Sequence, residues 1–386
     1  MNLSIVRAKM VFYKLKENGF FWSIRRVVRE LTLPTTSLGK WLKPWFFFVH
    51  HLMSKPVNFL YTRTFRDTKE DSLYFFYDFE VEPITYDFVW ALCIANARRD
   101  EMGLSGLKVV FVPGFEIGLR KESFEYEQAV SRDARSWRIY SILIPSIKLL
   151  SFPVSLTICA TRNEAALIRE NLARYVYPEK YNVTFPIPHS AEHGINYRQK
   201  FMTLQTDRQS LKYVSDWLSE LSVSKKIITM TFRQYSHLPN RNTNMEDWLK
   251  FANELNKNEF FVVFIPDTES SMDKEPIEWG DFNVFYPACW NLNLRSALYE
   301  LAYLNLGVNN GPMALCWLNP RCRYISFKTI IKDGPQAAID VLVERGFVPG
   351  KNPLFANRFQ KWVWDMDDLS IIRREFALMY ASIERG

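Results

Sequence analysis

From residue 72 onward, short apolar runs alternate with stretches of helical period, and this alternation limits the chain to a few architectures. "SLYFFYDFE" (72–80), "LKVVFVPG" (107–114) and "VSLTICA" (154–160) are rich in aromatic and β-branched residues and read as buried strands. Between them, "TYDFVWALCIANARRDEMG" (85–103) reads as a helix stopped by glycine, and a long helical stretch covers about 125–150. Residues 177–205 mix Pro, His and Asn without helical period and read as a connection. Alternation then resumes with a helix at 207–221, strand 226–232, helix 244–258 and strand 260–267. Strand 282–288, helix 294–302, strands 304–308 and 323–328, and a last helix at 368–384 complete it. Strands that recur through helices run parallel, with both faces of the sheet covered.

The remaining sequence is different in charge. Residues 1–66 hold twelve of the 49 Lys and Arg and two of the 42 Asp and Glu, so this segment carries +10 and the rest −3. A nucleic-acid-binding body would carry its own basic patch, and no nucleic-acid partner is expected. Helices are expected at 3–18 and from Phe20 to Leu31. Next comes "KWLKPWFFFVHHLM", whose apolar core Trp45–Val49 is far shorter than the ~20 residues of a spanning helix. Lys and Arg beside Trp and Phe suit either a membrane-surface arm through residues 1–55 or a helical arm packed on the body. Five scattered cysteines (Cys93, Cys159, Cys289, Cys316, Cys322) fit a reducing, cytoplasmic compartment and lack zinc-ligand spacing.

Two Rossmann-like halves with a connection between them resemble the GT-B glycosyltransferases over about residues 70–386. That resemblance implies an α/β fold of two Rossmann-like domains facing each other across a cleft, with a basic helical N-terminal arm. The expected divisions are 1–66 for the arm, 67–205 for an acceptor domain, 206–350 for a nucleotide-sugar donor domain and 351–386 for a helical tail packing back.

Three strand ends in the second half carry the sharper likeness. In "TMTFRQYSHLPNRNTN", Arg233 follows a strand and Arg241 lies eight residues on, a pairing that suits a diphosphate because guanidinium forks match phosphate oxygens. This looks like the strand–Arg loop of fucosyltransferase-type enzymes, except that Thr231 stands where their His-x-Arg pattern has His. In "FIPDTES", Asp267, Thr268 and Glu269 stand where ribose or base is bound, or serve as turn formers. "LNLGVNNGPMALCWL" places Asn309, Asn310, Gly311 and Pro312 either in a hairpin turn or, if 304–308 is a parallel strand, in a strand-to-helix turn against donor phosphates. In the second case Gly311 admits close approach and Pro312 fits the first helical position.

An inverting transferase needs a base within ~3 Å of the acceptor hydroxyl. In "YDFEVEPITYD", Asp78 and Glu80 are the best placed, with Glu82 beyond them and Glu116 and His189 in reserve. Asp365-Met366-Asp367 matches the Asp-x-Asp of metal-dependent transferases of another fold, but it opens the last helix, where Asp367 or Asp368 is expected to cap. No metal and no cofactor are expected beyond the sugar nucleotide. The resemblance implies sugar transfer to a cell-surface glycan or lipid-linked acceptor at the inner face of the membrane. A non-catalytic scaffold of the same fold and a sugar-nucleotide epimerase are the alternatives.

Overall fold

The computed structural model describes residues 27, 31, 37–46, 48–49, 71–189, 202–269, 271, 279–330, 342–343 and 346–386. The chain forms two compact units, Met1–Glu70 and Asp71–Gly386. In the first unit, residues 37–46 and 48–49 are helical, as are Val27 and Leu31; the helix expected at 3–18 lies outside the described residues.

The second unit opens with β1 (Ser72–Asp78), α1 (Asp87–Glu101) and β2 (Gly106–Val112). The stretch expected to be one long helix is broken into α2 (Phe124–Ala129), α3 (Arg132–Arg138), a π-helical turn at Ile139–Leu143 and α4 (Ile144–Ile147). Pro145 has no N–H to continue the helical ladder, so the hydrogen-bond register changes just ahead of it. β3 (Ser155–Ile158), α5 (Arg162–Asn171) and β4 (Tyr175–Tyr177) complete a four-stranded parallel sheet in the order β3-β2-β1-β4. β4 and α5 were not anticipated, and β4 ends where the connection was expected to begin.

The second sheet uses β5 (Lys226–Thr231), β6 (Phe260–Ile265), β7 (Asn283–Val284), β8 (Leu304–Val308), β9 (Tyr324–Phe327) and β10 (Gln360–Trp362). Around them run α6 (Arg208–Glu220), α7 (Met245–Glu254), α8 (Pro287–Trp290), α9 (Leu292–Leu301), α10 (Ala314–Trp317) and α11 (Leu369–Glu384). The expected strand at 282–288 shrinks to two residues, because Pro287 starts a helix where its missing N–H costs nothing. All six strands are parallel, in the order β10-β9-β8-β5-β6-β7. In chain order this is a Rossmann sheet: three strands run outward one way from β5, three the other way from β8, and the direction of winding reverses between them.

The expected α/β fold of two Rossmann-like halves is therefore present. Burial on both faces explains the apolar runs of the inner strands β1, β2, β5, β6 and β8, whereas β3 at its sheet's edge is largely exposed. One apolar core, including Phe75, Phe88, Phe111, Val263, Tyr299 and Trp317, is continuous through both halves. A separate core on the far face of the second sheet holds α11 through Ile372, Phe376, Met379 and Ile383, so the C-terminal helix packs on its own half, against α7. All five cysteines are buried and free.

Candidate active site

The loops leaving the carboxyl ends of the two sheets face each other. Arg138, at the end of α3 in the first half, donates from Nη2 to the Tyr235 hydroxyl (2.8 Å) in the loop after β5. Tyr126 meets His237 edge to face, with ring centroids 5.2 Å apart. Between β5 and β8, where the winding reverses, an open parallel sheet offers its ligand crevice.

β8 pairs in parallel with β5 on one side and β9 on the other, which rules out the hairpin reading of Asn309–Pro312. The chain instead enters a single 3-10 turn, Gly311–Met313, and then α10, with Asn310 Oδ1 accepting from the Met313 N–H (3.2 Å) as N-cap. Gly311 is required for a reason the sequence did not give: a Cβ there would lie 2.7 Å from Cδ2 of Tyr86, a ring brought by the first half. Asn309 is held from both sides, its Nδ2 donating to the Thr329 carbonyl (3.1 Å) and its own carbonyl accepting from Arg241 Nη2 (3.1 Å).

Arg233 is buried, and its guanidinium braces its own loop. It donates to the carbonyls of Leu238 (3.0 Å) and His237 (2.6 Å) and to Asn242 Oδ1. Arg241 is half-buried and, among the described residues, its guanidinium hydrogen-bonds Asn309 alone, so most of the guanidinium donors remain open to a ligand. Burial lowers the pKa of both arginines, and for Arg233 the like charge of Arg241 lowers it further. Thr231, where the likeness would have histidine, shares a hydrogen bond with the Tyr299 hydroxyl (2.8 Å) inside the core.

Asp267 accepts from the Gln234 N–H (3.3 Å) and Glu269 from the Ser236 N–H (3.3 Å), so both sit against the Arg233 loop. Burial raises the pKa of each. Thr268 faces elsewhere, its hydroxyl donating to the Cys289 carbonyl (2.9 Å). Two further cations were not singled out in the sequence. Arg138 is one. The other is Arg295 on α9, only 2 % exposed, which donates from Nε to the Ala288 carbonyl (2.7 Å) and from Nη1 to the Tyr299 hydroxyl (3.3 Å). Burial acts to lower the Arg295 pKa, and the Tyr299 and Tyr86 phenols outweigh it, leaving it raised. None of Arg138, Arg233, Arg241 and Arg295 has a described carboxylate within 4.0 Å of its guanidinium. Buried charges are ordinarily paired; here Arg233 and Arg295 are buried and Arg138 and Arg241 half-buried, with Asp267 and Glu269 acting on them only at longer range.

The first-half carboxylates divide sharply. Asp78 is 1 % exposed and is gripped by Arg162 at both oxygens (2.9 and 2.8 Å) and by the Tyr181 hydroxyl (2.7 Å). Glu80 accepts from the Phe115 N–H (2.7 Å), and Glu116 lies exposed on Lys121 (2.9 Å). Glu82, also buried, accepts from both the backbone N–H (2.5 Å) and the ring Nδ1 (2.9 Å) of His189. Asp365 and Asp367 do not act together: Asp365 is exposed near Arg374 (3.5 Å), while Asp367 is buried and accepts from Asn244 N–H (2.8 Å) and Trp248 Nε1 (2.9 Å). The expectation that Asp367 or Asp368 caps the last helix is corrected. Asp368 occupies the N-cap position without a side-chain cap bond, and the Leu369 N–H is taken by Asp247 (3.0 Å).

No protein family matches the chain, and no curated protein is similar to it in sequence. Among solved structures it is similar to the family 9 glycosyl transferase from Veillonella parvula DSM 2008, with a TM-score of 0.38 and 10% identity over 67% of this chain and 80% of that one. It is also similar to the ADP-heptose lps heptosyltransferase II of E. coli, with a TM-score of 0.37 and 12% identity over 81% of this chain and 99% of that one. The wall teichoic acid polymerase TagF overlaps with a TM-score of 0.25 and 9% identity over 82% of this chain and 84% of that one. Likenesses at this level assign the chain neither a family nor an activity.

Proposed function

We propose that this chain is a glycosyltransferase that takes its sugar from a nucleotide-sugar donor and passes it to a glycan or lipid-linked acceptor. The observation that carries the reading is a set of four arginines around the crevice where a Rossmann-ordered sheet reverses its winding, none ion-paired to a described carboxylate, with Asp267 and Glu269 the acids that act on them from farther off. A diphosphate adds negative charge where four guanidiniums outnumber the two nearby carboxylates, Asp267 and Glu269. In the transfer step, charge builds on the leaving diphosphate, and guanidiniums fixed in advance stabilise that charge without reorganising. Four cations supply this without a divalent ion. Arg241, with open donors, is the primary contact; Arg233 shapes the loop that presents it.

Thermal unfolding with nucleoside diphosphates and UDP-, GDP- and ADP-sugars tests the reading. A nucleotide at ~100 times its dissociation constant stabilises by about 2.7 kcal/mol, and Arg241→Ala is expected to lose that shift while unfolding normally without ligand. A wild type that shifts with none of these compounds overturns the reading.

The N-terminal unit carries a surface of its own for a membrane. Leu38, Trp41, Trp45 and Phe48 are 66%, 67%, 62% and 63% exposed, and at helical spacing they fall on one face, with Lys40 and Lys43 opposite. An aromatic stripe within a segment of charge +10 suits the interface of an anionic bilayer, and no described helix is long and apolar enough to cross one. Trp41→Ser/Trp45→Ser is expected to reduce sedimentation with phosphatidylglycerol-containing vesicles at least tenfold. Equal binding by variant and wild type would remove the membrane from this account.

A further inference from the structure

We infer that His189, held by Glu82, is the general base of the transfer reaction, an assignment that rests on the glycosyltransferase reading above. A carboxylate that grips one residue at both its backbone N–H (2.5 Å) and its ring Nδ1 (2.9 Å) fixes position, ring rotation and tautomer together. With Nδ1–H donated to Glu82, the lone pair is on Nε2. That atom has no hydrogen-bond partner among the described residues and is not sealed in, for the side chain is 11% exposed. The ring rests beside Tyr77, with centroids 6.3 Å apart, at the carboxyl end of β1.

The other carboxylates named for this role are each engaged elsewhere, Glu80 through one oxygen. Asp78 has both oxygens on Arg162, Glu80 holds the Phe115 amide, and Glu116 lies on Lys121. The loop after β1 also reaches the second half. Glu82 holds His189, Tyr86 lies against Gly311, and the charge of Asp87 is felt by Arg241. The four-residue step from Glu82 to Tyr86 spans at most about 14 Å. One short loop thus ties His189, through Glu82, to the turn at Gly311, through Tyr86.

The chemistry balances as a single displacement. The acceptor hydroxyl gives its proton to His189 Nε2 as its oxygen bonds the anomeric carbon. The bond from that carbon to the diphosphate breaks, and its electron pair leaves with the nucleoside diphosphate. The imidazolium formed is stabilised by Glu82, a positioning residue that does not itself take the proton.

The full chain is assayed for nucleoside diphosphate release from UDP-, GDP- and ADP-sugars, with water standing in for the acceptor hydroxyl. His189→Ala removes the base, and His189→Asn keeps an N–H for Glu82 without one. Both are expected to lower release at least 100-fold with KM and the nucleotide thermal shift unchanged, and imidazole is expected to restore part of the His189→Ala rate. Glu82→Gln is expected to lower kcat about tenfold at constant KM. Release within a few-fold of wild type in both His189 variants overturns the base and leaves the transferase reading standing. A wild type that neither binds nor cleaves any of these donors overturns both.

Discussion

Asp78→Ala is expected to destabilise the 71–386 unit by about 3–5 kcal/mol, read as a loss of unfolding free energy in urea. The carboxylate sits on the central strand of the first sheet, where it receives both guanidinium nitrogens of Arg162 and the Tyr181 hydroxyl. Its Oδ1 also accepts from the Glu80 N–H (3.0 Å), shaping the turn that leaves β1. Arg162 in turn donates to the Pro113 carbonyl (2.7 Å) and to that of Val183, and lies 4.0 Å from the centre of the Phe115 ring. One ion pair thus joins β1, the loop after β2, α5 and the segment after β4. Removing the acid leaves a largely buried guanidinium without its counter-charge, the costly way to break such a pair. Were Asp78 instead a reacting base, the alanine variant would lose turnover while unfolding like the wild type. That result would return it to the active site and unseat His189.

The sequence exposes the central strands and conceals the edges. β5, β6 and β8 stand between neighbours on both sides and are largely buried on both faces, so each is a largely apolar run that structure and sequence bound within two residues. β4 and β10 are three-residue edge strands, too short for any period to show, and α5 is polar over most of its length. The site divides in the same way. Arg233 and Arg241 are legible because a loop at a strand end is where a parallel sheet presents ligand groups. Arg138 and Arg295 lie on helices, where arginine is ordinarily solvated surface, and only the docking of the two halves and the burial of α9 change that. His189 is visible as an isolated histidine in a proline-rich segment, but its partner lies 107 residues away, a pairing no local pattern encodes.

Asp367→Ala is expected to cost about 3–5 kcal/mol, whereas Asp365→Ala, two residues away, is expected to fall within ~0.5 kcal/mol of wild type. Asp367 is buried beneath the second sheet, where Oδ2 receives the Asn244 N–H and the indole Nε1 of Trp248, and Oδ1 lies 3.4 Å from Lys328 Nζ. Trp248 is itself fully buried, edge to face with Phe232 and Phe327 at 6.0 and 5.6 Å. Alanine would orphan an indole N–H and a backbone N–H and strip a buried ammonium of its counter-charge. Asp365 has only the exposed Arg374 at 3.5 Å, a geometry that contributes little. The loss should also reach the proposed anion site. Lys328 Nζ donates to the Asn242 carbonyl (2.7 Å), and the Asn242 side chain holds Arg233 and accepts from the Tyr235 N–H (3.1 Å). Asp367→Ala is therefore expected to weaken nucleotide binding as well, although Asp367 touches none of the four arginines. Two aspartates acting as a metal pair would instead show equal losses, both relieved by added manganese. Equal losses of that kind would overturn the structural role assigned to Asp367.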